Sequence, residues 1–283
     1  MGGGPRPPVA RESIAAGYPQ PVDDDERAAL KATITAAWDQ GAADYDRLPR
    51  HGVLHDDERT AWRRLVAAIL GDPAHSDVPT RAVLDVGTGT GTLALTAAEL
   101  GHDVIGIDLS ERMILAARRR SIETGLAVDW RIGDAEDPPV PTGSLDAVVN
   151  RHLVWTLADP ARAASAWRIR LRPGGLVAVI DGCYPPDPAP RRLLSAAAGR
   201  LRTIRPPAVV DKHEYPAEVD AALPLFHQTS PDALVKALRA AGFERVTVRR
   251  LGEIDRVERA HQGILERVGD RWQRYLAVGR SPR

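Results

Sequence analysis

Cysteine, methionine and phenylalanine are all scarce: one cysteine, Cys183, with two methionines and two phenylalanines among 283 residues. A single cysteine excludes an internal disulfide framework and any metal site built from cysteines. It fits a reducing, cytoplasmic setting, and no metal is expected. Net charge is lacking as well, since 38 Lys and Arg balance 38 Asp and Glu. No overall field gathers a polyanion, so neither nucleic acid nor a membrane surface is an expected partner. No apolar run reaches the roughly eighteen residues of a spanning helix, and nothing after Met1 resembles the apolar core of an export signal. What is plentiful is apolar content, 43% of the chain. That is enough to bury one substantial core, as one large domain or as one domain with a cap, and the second arrangement is expected.

Residues 1–24 are rich in glycine and proline, show no repeating apolar face, and read as a disordered lead-in. Acids at Asp23 to Glu26 precede Leu30, Ile34 and Trp38 at four-residue spacing, which predicts a helix over 25–40. Residues 56–70 place Trp62, Leu65, Val66, Ile69 and Leu70 on one face of a second helix. These two helices form an N-terminal cap, residues 25–75, able to lie over the mouth of the domain that follows. From Ala82 the chain alternates strand and helix, the pattern of an α/β fold with a mostly parallel sheet covered on both faces. Strands are expected at 82–86, 103–107, 127–132, 145–149, 175–181, 243–249 and 272–278. Helices are expected at 91–100, 110–124, 160–171, 231–241 and 255–267. A proline-rich stretch at 182–228 reads as an insertion, helical near 190–202, placed above the sheet as a substrate lid.

The organising segment is Ala82 to Thr92, AVLDVGTGTGT: a buried strand running into a turn with Gly87, Gly89 and Gly91. Such a turn lets a ligand rest against bare peptide at the carboxyl end of a parallel sheet. By itself it suits a dinucleotide as well as other adenosine ligands. The dinucleotide fingerprint wants its third glycine where Thr92 stands, and Asp85 would repel a pyrophosphate, so a ligand with a cation or ammonium near the turn fits better. Asp108, ending the second strand in VIGIDLS, can accept hydrogen bonds from ribose hydroxyls or cap the next helix. Asp134 and Ala135, in GDAE after the third strand, can meet the amine edge of an adenine or be ordinary turn residues.

Taken together, VLDVGTGTG, VIGIDLS, GDAED, LDAVVNRHLVWTL and LRPGGLVAVID resemble the class I S-adenosylmethionine-dependent methyltransferases, in their small-molecule subgroup, over roughly residues 40–181. The resemblance implies a Rossmann-like seven-stranded sheet with a final antiparallel strand and S-adenosylmethionine as cofactor. It implies methyl transfer to an oxygen, nitrogen or carbon of a small-molecule substrate. Gly87, Thr88 and Gly89 would line the methionine part, Asp85 would orient the loop or the ammonium, and Asp108 would hold the ribose. Leu109 and Met113 would flank the adenine, Asp134 and Ala135 would meet its amine, and Asn150 and Arg151 would lie near the sulfonium. Tyr45 resembles the aromatic residue that closes over the cofactor's carboxylate.

In-line methyl transfer depends mainly on placement, and a base helps only if the acceptor must lose a proton. His152, just past the fourth strand, is the leading candidate base, set against a purely structural role. Trp155 is a candidate apolar wall for substrate or for the sulfonium, set against simple core packing, and His51 and His55 are candidates to face the same mouth. NRHL is not the Asn-Pro-Pro-aromatic motif of enzymes that methylate adenine or glutamine amides, which counts against those substrates. Arg118 to Arg120 read as a solvated helix face, and Cys183 reads as a packed residue. Two other functions stay open: a cofactor-binding sensor or interaction protein without methyl transfer, and a nicotinamide-dependent oxidoreductase. The sequence is silent on oligomeric state.

Overall fold

A computed structural model describes residues 23–48, 50–186, 215–263, 267 and 270–283. Most of the expected lead-in and the helix expected near 190–202 lie outside the described residues. Seven strands form one sheet: β1 (Ala82–Val86), β2 (Asp103–Asp108), β3 (Asp129–Ile132), β4 (Leu145–Arg151), β5 (Leu171–Cys183), β6 (Glu244–Arg250) and β7 (Gln273–Arg280). Their order is β3-β2-β1-β4-β5-β7-β6, with β7 antiparallel to both of its neighbours. The chain steps outward from β1 through β2 to β3 and then returns to β4 on the other side of β1. That reversal opens a crevice at the carboxyl ends of β1 and β4, the place where open α/β sheets take ligands.

The described helices are α1 (Asp24–Gly41), α2 (Asp56–Leu70), α3 (Thr92–Glu99), α4 (Glu111–Thr124), α5 (Pro160–Arg170), α6 (Ala217–Ala222), α7 (Asp232–Ala240) and α8 (Gly252–Ala260). Local chemistry sets their starts. The Asp23 carboxylate accepts from the Glu26 N–H, and the Asp159 carboxylate accepts from the Arg162 N–H with Pro160 in the first turn. On one face of the sheet α2, α3, α4 and α8 bury Trp62, Leu70, Leu93, Ala94, Ile114 and Ile254 against Val83, Val149 and Ile180. On the other, α5 and α7 bury Trp167, Leu234 and Leu238 against Leu84, Val148 and Val179. Full burial of a side chain such as Trp62 contributes about 2–3 kcal/mol, so each face is a substantial store of stability.

The two N-terminal helices part company. α1 crosses the mouth, where Leu30 and Ile34 pack with Tyr215, Val219 and Leu223 of the α6 segment. α2 packs on α3 and α8 instead, because its broad apolar face needs the flank of the sheet and leaves nothing to turn toward the mouth. Two element starts differ by three residues or more. β5 begins at Leu171 rather than 175, since Leu171 pairs with Leu145 across a register irregularity that takes in the Pro-Gly-Gly turn. α8 begins at Gly252, three residues before the expected start, and of the expected 255–267 helix residues 264–266 lie outside the described residues.

Candidate active site

The glycine turn is braced from below. Asp85, 1% exposed, accepts from the Thr88 hydroxyl at 2.6 Å and from the Ala94 N–H at 3.1 Å, and burial pushes its carboxyl up to about 7. Its role is therefore to hold the loop. Gly87 sits at φ +63°, a conformation that favours glycine, and a Cβ there would come 2.5 Å from Leu153 Cδ1, so the Leu153 side chain would also have to shift. Arg120, expected on a solvated face, instead reaches the turn and donates to the Thr90 carbonyl at 3.0 Å. The Thr90 hydroxyl in turn donates to Asp46 at 2.6 Å.

Asp108 joins the glycine turn to the start of α4. Its Oδ2 accepts from the Gly89 N–H and its Oδ1 from the Ser110 N–H, both at 2.9 Å, and burial raises its carboxyl to about 6. Above the turn is a cavity at the carboxyl ends of the strands, where an open α/β sheet takes its ligand. Of the expected cofactor residues, Tyr45, Gly87, Gly89, Asp108, Leu109, Met113, Asp134, Ala135 and Arg151 line it, with His152 beside them. Thr88 lies under the turn, in a small polar hollow shared with Tyr45, Asp85 and Arg151.

Lys31, Ile34 and Trp38 of α1 also line the cavity, and sequence reasoning missed their role. Their i, i+3, i+7 spacing was the available signal, but it reads as ordinary core packing when the facing surface is unknown. Lys31 Nζ stands 2.6 Å from both Asp134 Oδ2 and Glu136 Oε2, so the adenine-side acid already has a cationic partner.

At the end of β4 strand alternation separates two neighbours expected together. Arg151 points to the Val149 face and lines the cavity, whereas Asn150 points to the Val148 face, is fully buried, and lines no described cavity. Asn150 therefore faces away from the cavity that Arg151 lines. The Arg151 guanidinium lies 4.9 Å above the Trp62 ring and donates to the His51 carbonyl. Its Nη1 is buried with no partner among the described residues, and no described carboxylate pairs with it. Burial lowers its pKa first of all, and the neighbouring Arg274 adds to this. A buried guanidinium without a counter-ion, open to the hollow beneath the glycine turn, fits a ligand carboxylate.

Beyond it, His152 takes φ +56°, a conformation uncommon outside glycine, with its N–H bonded to the Ile180 carbonyl. His152 Nε2 lies 3.3 Å from Arg274 Nη2, a residue that no motif singles out. The remaining candidates sit elsewhere. His51 stacks on Tyr45 and meets the edge of His152, behind the cavity wall. Trp155 packs against Trp38, Tyr215 and Phe226 and does not line the cavity; the short 3-10 turn Val154–Thr156 carries it into the α1–α6 aromatic cluster.

His55 does not face the mouth, because α2 begins there and runs along the sheet flank. His55 stacks on His261 at 3.7 Å. With Glu58 these residues bring ligand-type atoms within 4.8 Å of one another, but parallel rings aim their lone pairs side by side rather than at one point. Cys183 is buried and packed.

A methyltransferase domain family matches residues 84–179, the span from β1 to β5. Nocamycin O-methyltransferase of Saccharothrix syringae is 36% identical over a stretch covering 60% of this chain and 61% of that protein, so the match spans about three fifths of that relative. The structure of a geranyl diphosphate methyltransferase in complex with S-adenosylmethionine superposes with a TM-score of 0.54 at 19% identity, over 93% of this chain and 92% of that one. The cyclase SpnF superposes with a TM-score of 0.58 at 20% identity, over 94% and 99%. At these identities the two structures speak for the fold alone. Residues 84–179 therefore carry a methyltransferase domain, and the chain is similar to the S-adenosylmethionine-dependent methyltransferases.

Proposed function

We propose that the protein transfers the methyl group of S-adenosylmethionine to an oxygen of a small molecule. The observation that carries this reading is Arg151, a buried cation with an orphaned N–H beside the glycine turn, since an amino-acid carboxylate is the group its surroundings lack. Asp108 would accept from the ribose hydroxyls, Leu109 and Met113 would pack on the adenine, and Asp134 would share its carboxylate between Lys31 and the adenine amine. Tyr45 would close over the tail, its ring 3.6 Å from where a Cβ on Gly89 would lie. Bound there, the cofactor supplies a methyl on a positively charged sulfur. The residues of this chain have then to place the acceptor in line and exclude water. Ile34 and Trp38 of α1 would cover the cavity for that purpose.

The oxygen acceptor follows the likeness to nocamycin O-methyltransferase. The fold itself carries no argument for methyl transfer, because a protein described as a cyclase shares it. No described helix is long and apolar enough to cross a membrane, and we place the activity in the cytoplasm. The test is calorimetry with S-adenosylhomocysteine, followed by incubation of the protein and methyl-labelled S-adenosylmethionine with small-molecule extracts. Label appearing in a methyl ether is the expected result. Absence of S-adenosylhomocysteine binding contradicts the proposal, and binding without transfer to any acceptor favours a sensor role.

A further inference from the structure

We infer that His152 acts as a neutral hydrogen-bond donor to an oxygen of the methyl acceptor, fixed in its Nδ1–H form by Arg274, and takes no proton in the reaction. This rests on the methyl-transfer reading above. A guanidinium has donors and no acceptor, and it stays charged at any working pH. Arg274 Nη2 approaches His152 Nε2 at 3.3 Å, so Nε2 must be the accepting, unprotonated nitrogen. The single proton of a neutral imidazole then belongs to Nδ1. That atom is buried and has no partner among the described residues, in a side chain that lines the cavity. A buried donor without a partner costs about 1–3 kcal/mol unless a ligand supplies the acceptor, so the arrangement asks for an oxygen.

Arg274 is held firmly enough to impose this. It is fully buried, its Nη1 lies 2.6 Å from Glu258 and 3.5 Å from Asp255, and its guanidinium stands 5.3 Å over the Trp62 ring. Turning it away would strand two carboxylates of α8 in the interior. The imidazole is confined from its other sides by ring edges, with His51 at 5.3 Å and Trp272 at 5.8 Å. The charged groups facing it are cations: Arg151 beside it in the chain, Arg274 on β7, and Arg50 next to His51 in the loop before α2. The nearby acids lie behind those cations, Asp255 and Glu258 on Arg274, and Asp270 on Arg50. Burial first, then Arg151 and Arg274, holds His152 well below its ordinary value, in keeping with a ring that stays neutral.

A base would have to become an imidazolium among three guanidiniums, using a lone pair that Arg274 already occupies. The hydroxyl proton of the acceptor must instead leave to water before the transfer. The acceptor oxygen's electron pair then forms the bond to the methyl carbon, the carbon–sulfur bond breaks with its pair going to sulfur, and the sulfonium becomes a neutral thioether. No proton moves in that step. Acceptors are thereby limited to hydroxyls acidic enough to ionise beside arginines, phenols and enols, and aliphatic alcohols are excluded.

The deciding experiment is a long-range proton–nitrogen correlation spectrum of the full chain labelled with nitrogen-15 in its histidines, with the His152 ring signals identified by their loss in His152→Asn. The expected spectrum shows a protonated Nδ1 and a bare Nε2, unchanged from about pH 6 to about pH 8.5. A proton on Nε2, or a His152 ring that titrates within that range, overturns the inference. It does so even if Arg274 variants fail to fold, because the parent protein decides. A second arm offers cyclohexanol with methyl-labelled S-adenosylmethionine: no labelled ether is expected, and formation of one overturns the restriction to acidic hydroxyls. Failure of S-adenosylhomocysteine to bind would remove the methyl-transfer reading while leaving the tautomer result intact.

Discussion

The two halves of the cleft are built in different ways. The floor of the half over β1, β2 and β3 is held by contacts close in sequence, Thr88 on Asp85 three residues away, Ser110 on Asp108 two away and Gly89 on Asp108 nineteen away, while the N-terminal segment reaches it from further off through Lys31 on Asp134 and Asp46 on Thr90. The half over β4, β5 and β7 is held by contacts across most of the chain. Arg151 meets His51 a hundred residues away, and Arg274 meets His152 at a separation of 122. The first half can be copied from protein to protein as a string of residues. The second exists only once β7 has slotted beside β5 with Gly182 opposite Arg274. A shared cofactor suits the first construction, and an individual acceptor suits the second.

Arg151 serves both halves, so its removal should have the largest effect. Arg151→Met is expected to weaken S-adenosylhomocysteine binding about a hundredfold, roughly 2.7 kcal/mol, because a charge-assisted contact to the carboxylate is lost. Calorimetry checks this, and an unchanged affinity would move the carboxylate elsewhere. Gly87→Ala strains the seam between the halves through its φ of +63° and its overlap with Leu153. A loss of about 2 kcal/mol in urea unfolding is expected, partly recovered in Gly87→Ala/Leu153→Ala; no recovery would put the whole cost in the backbone.

Asp85 tests the first half alone. Its carboxyl ionises near 3.8 when unexposed to the fold and near 7 when buried. Between those values the folded chain keeps a proton the unfolded chain has released, so this stabilising contribution is full at low pH and is lost as pH rises toward 7. Relative to Asp85→Asn, the parent protein should lose on the order of 1 kcal/mol of stability per pH unit from about pH 4.5 to about pH 7. Thermal unfolding across that range shows it, and parallel curves for the two proteins would refute it. The smallest effect is expected outside both halves: His55→Ala should change stability by no more than about 0.5 kcal/mol and leave S-adenosylhomocysteine affinity unaltered.

Legibility in the sequence follows the same division. Strand β1, the glycine turn, Asp108 and the Asp134–Ala135 turn could be read because each is a local pattern whose spacing is its meaning. Helix α2 could be read to its ends, Asp56–Leu70, because its apolar face is broad and His55 and Gly71 bound it. Arg274 could not be found, since an arginine in WQRYLAV carries no sign of facing His152. Asn150 and Arg151 were grouped by adjacency, although the two-residue period of a strand sends neighbours to opposite faces. Lys31 and Trp38 were visible as helix residues and became cleft residues only through the crossing of α1 over the mouth.

The central claim is that the turn holds the methionine end of the cofactor and Asp108 its ribose, and calorimetric titration of S-adenosylhomocysteine into the parent protein and Asp108→Ala tests it most directly. The account predicts saturable binding to the parent and affinity at least about tenfold weaker in the variant, a loss of roughly 1.4 kcal/mol or more for the missing ribose contacts. No binding to the parent, or equal affinity for both proteins, would contradict it.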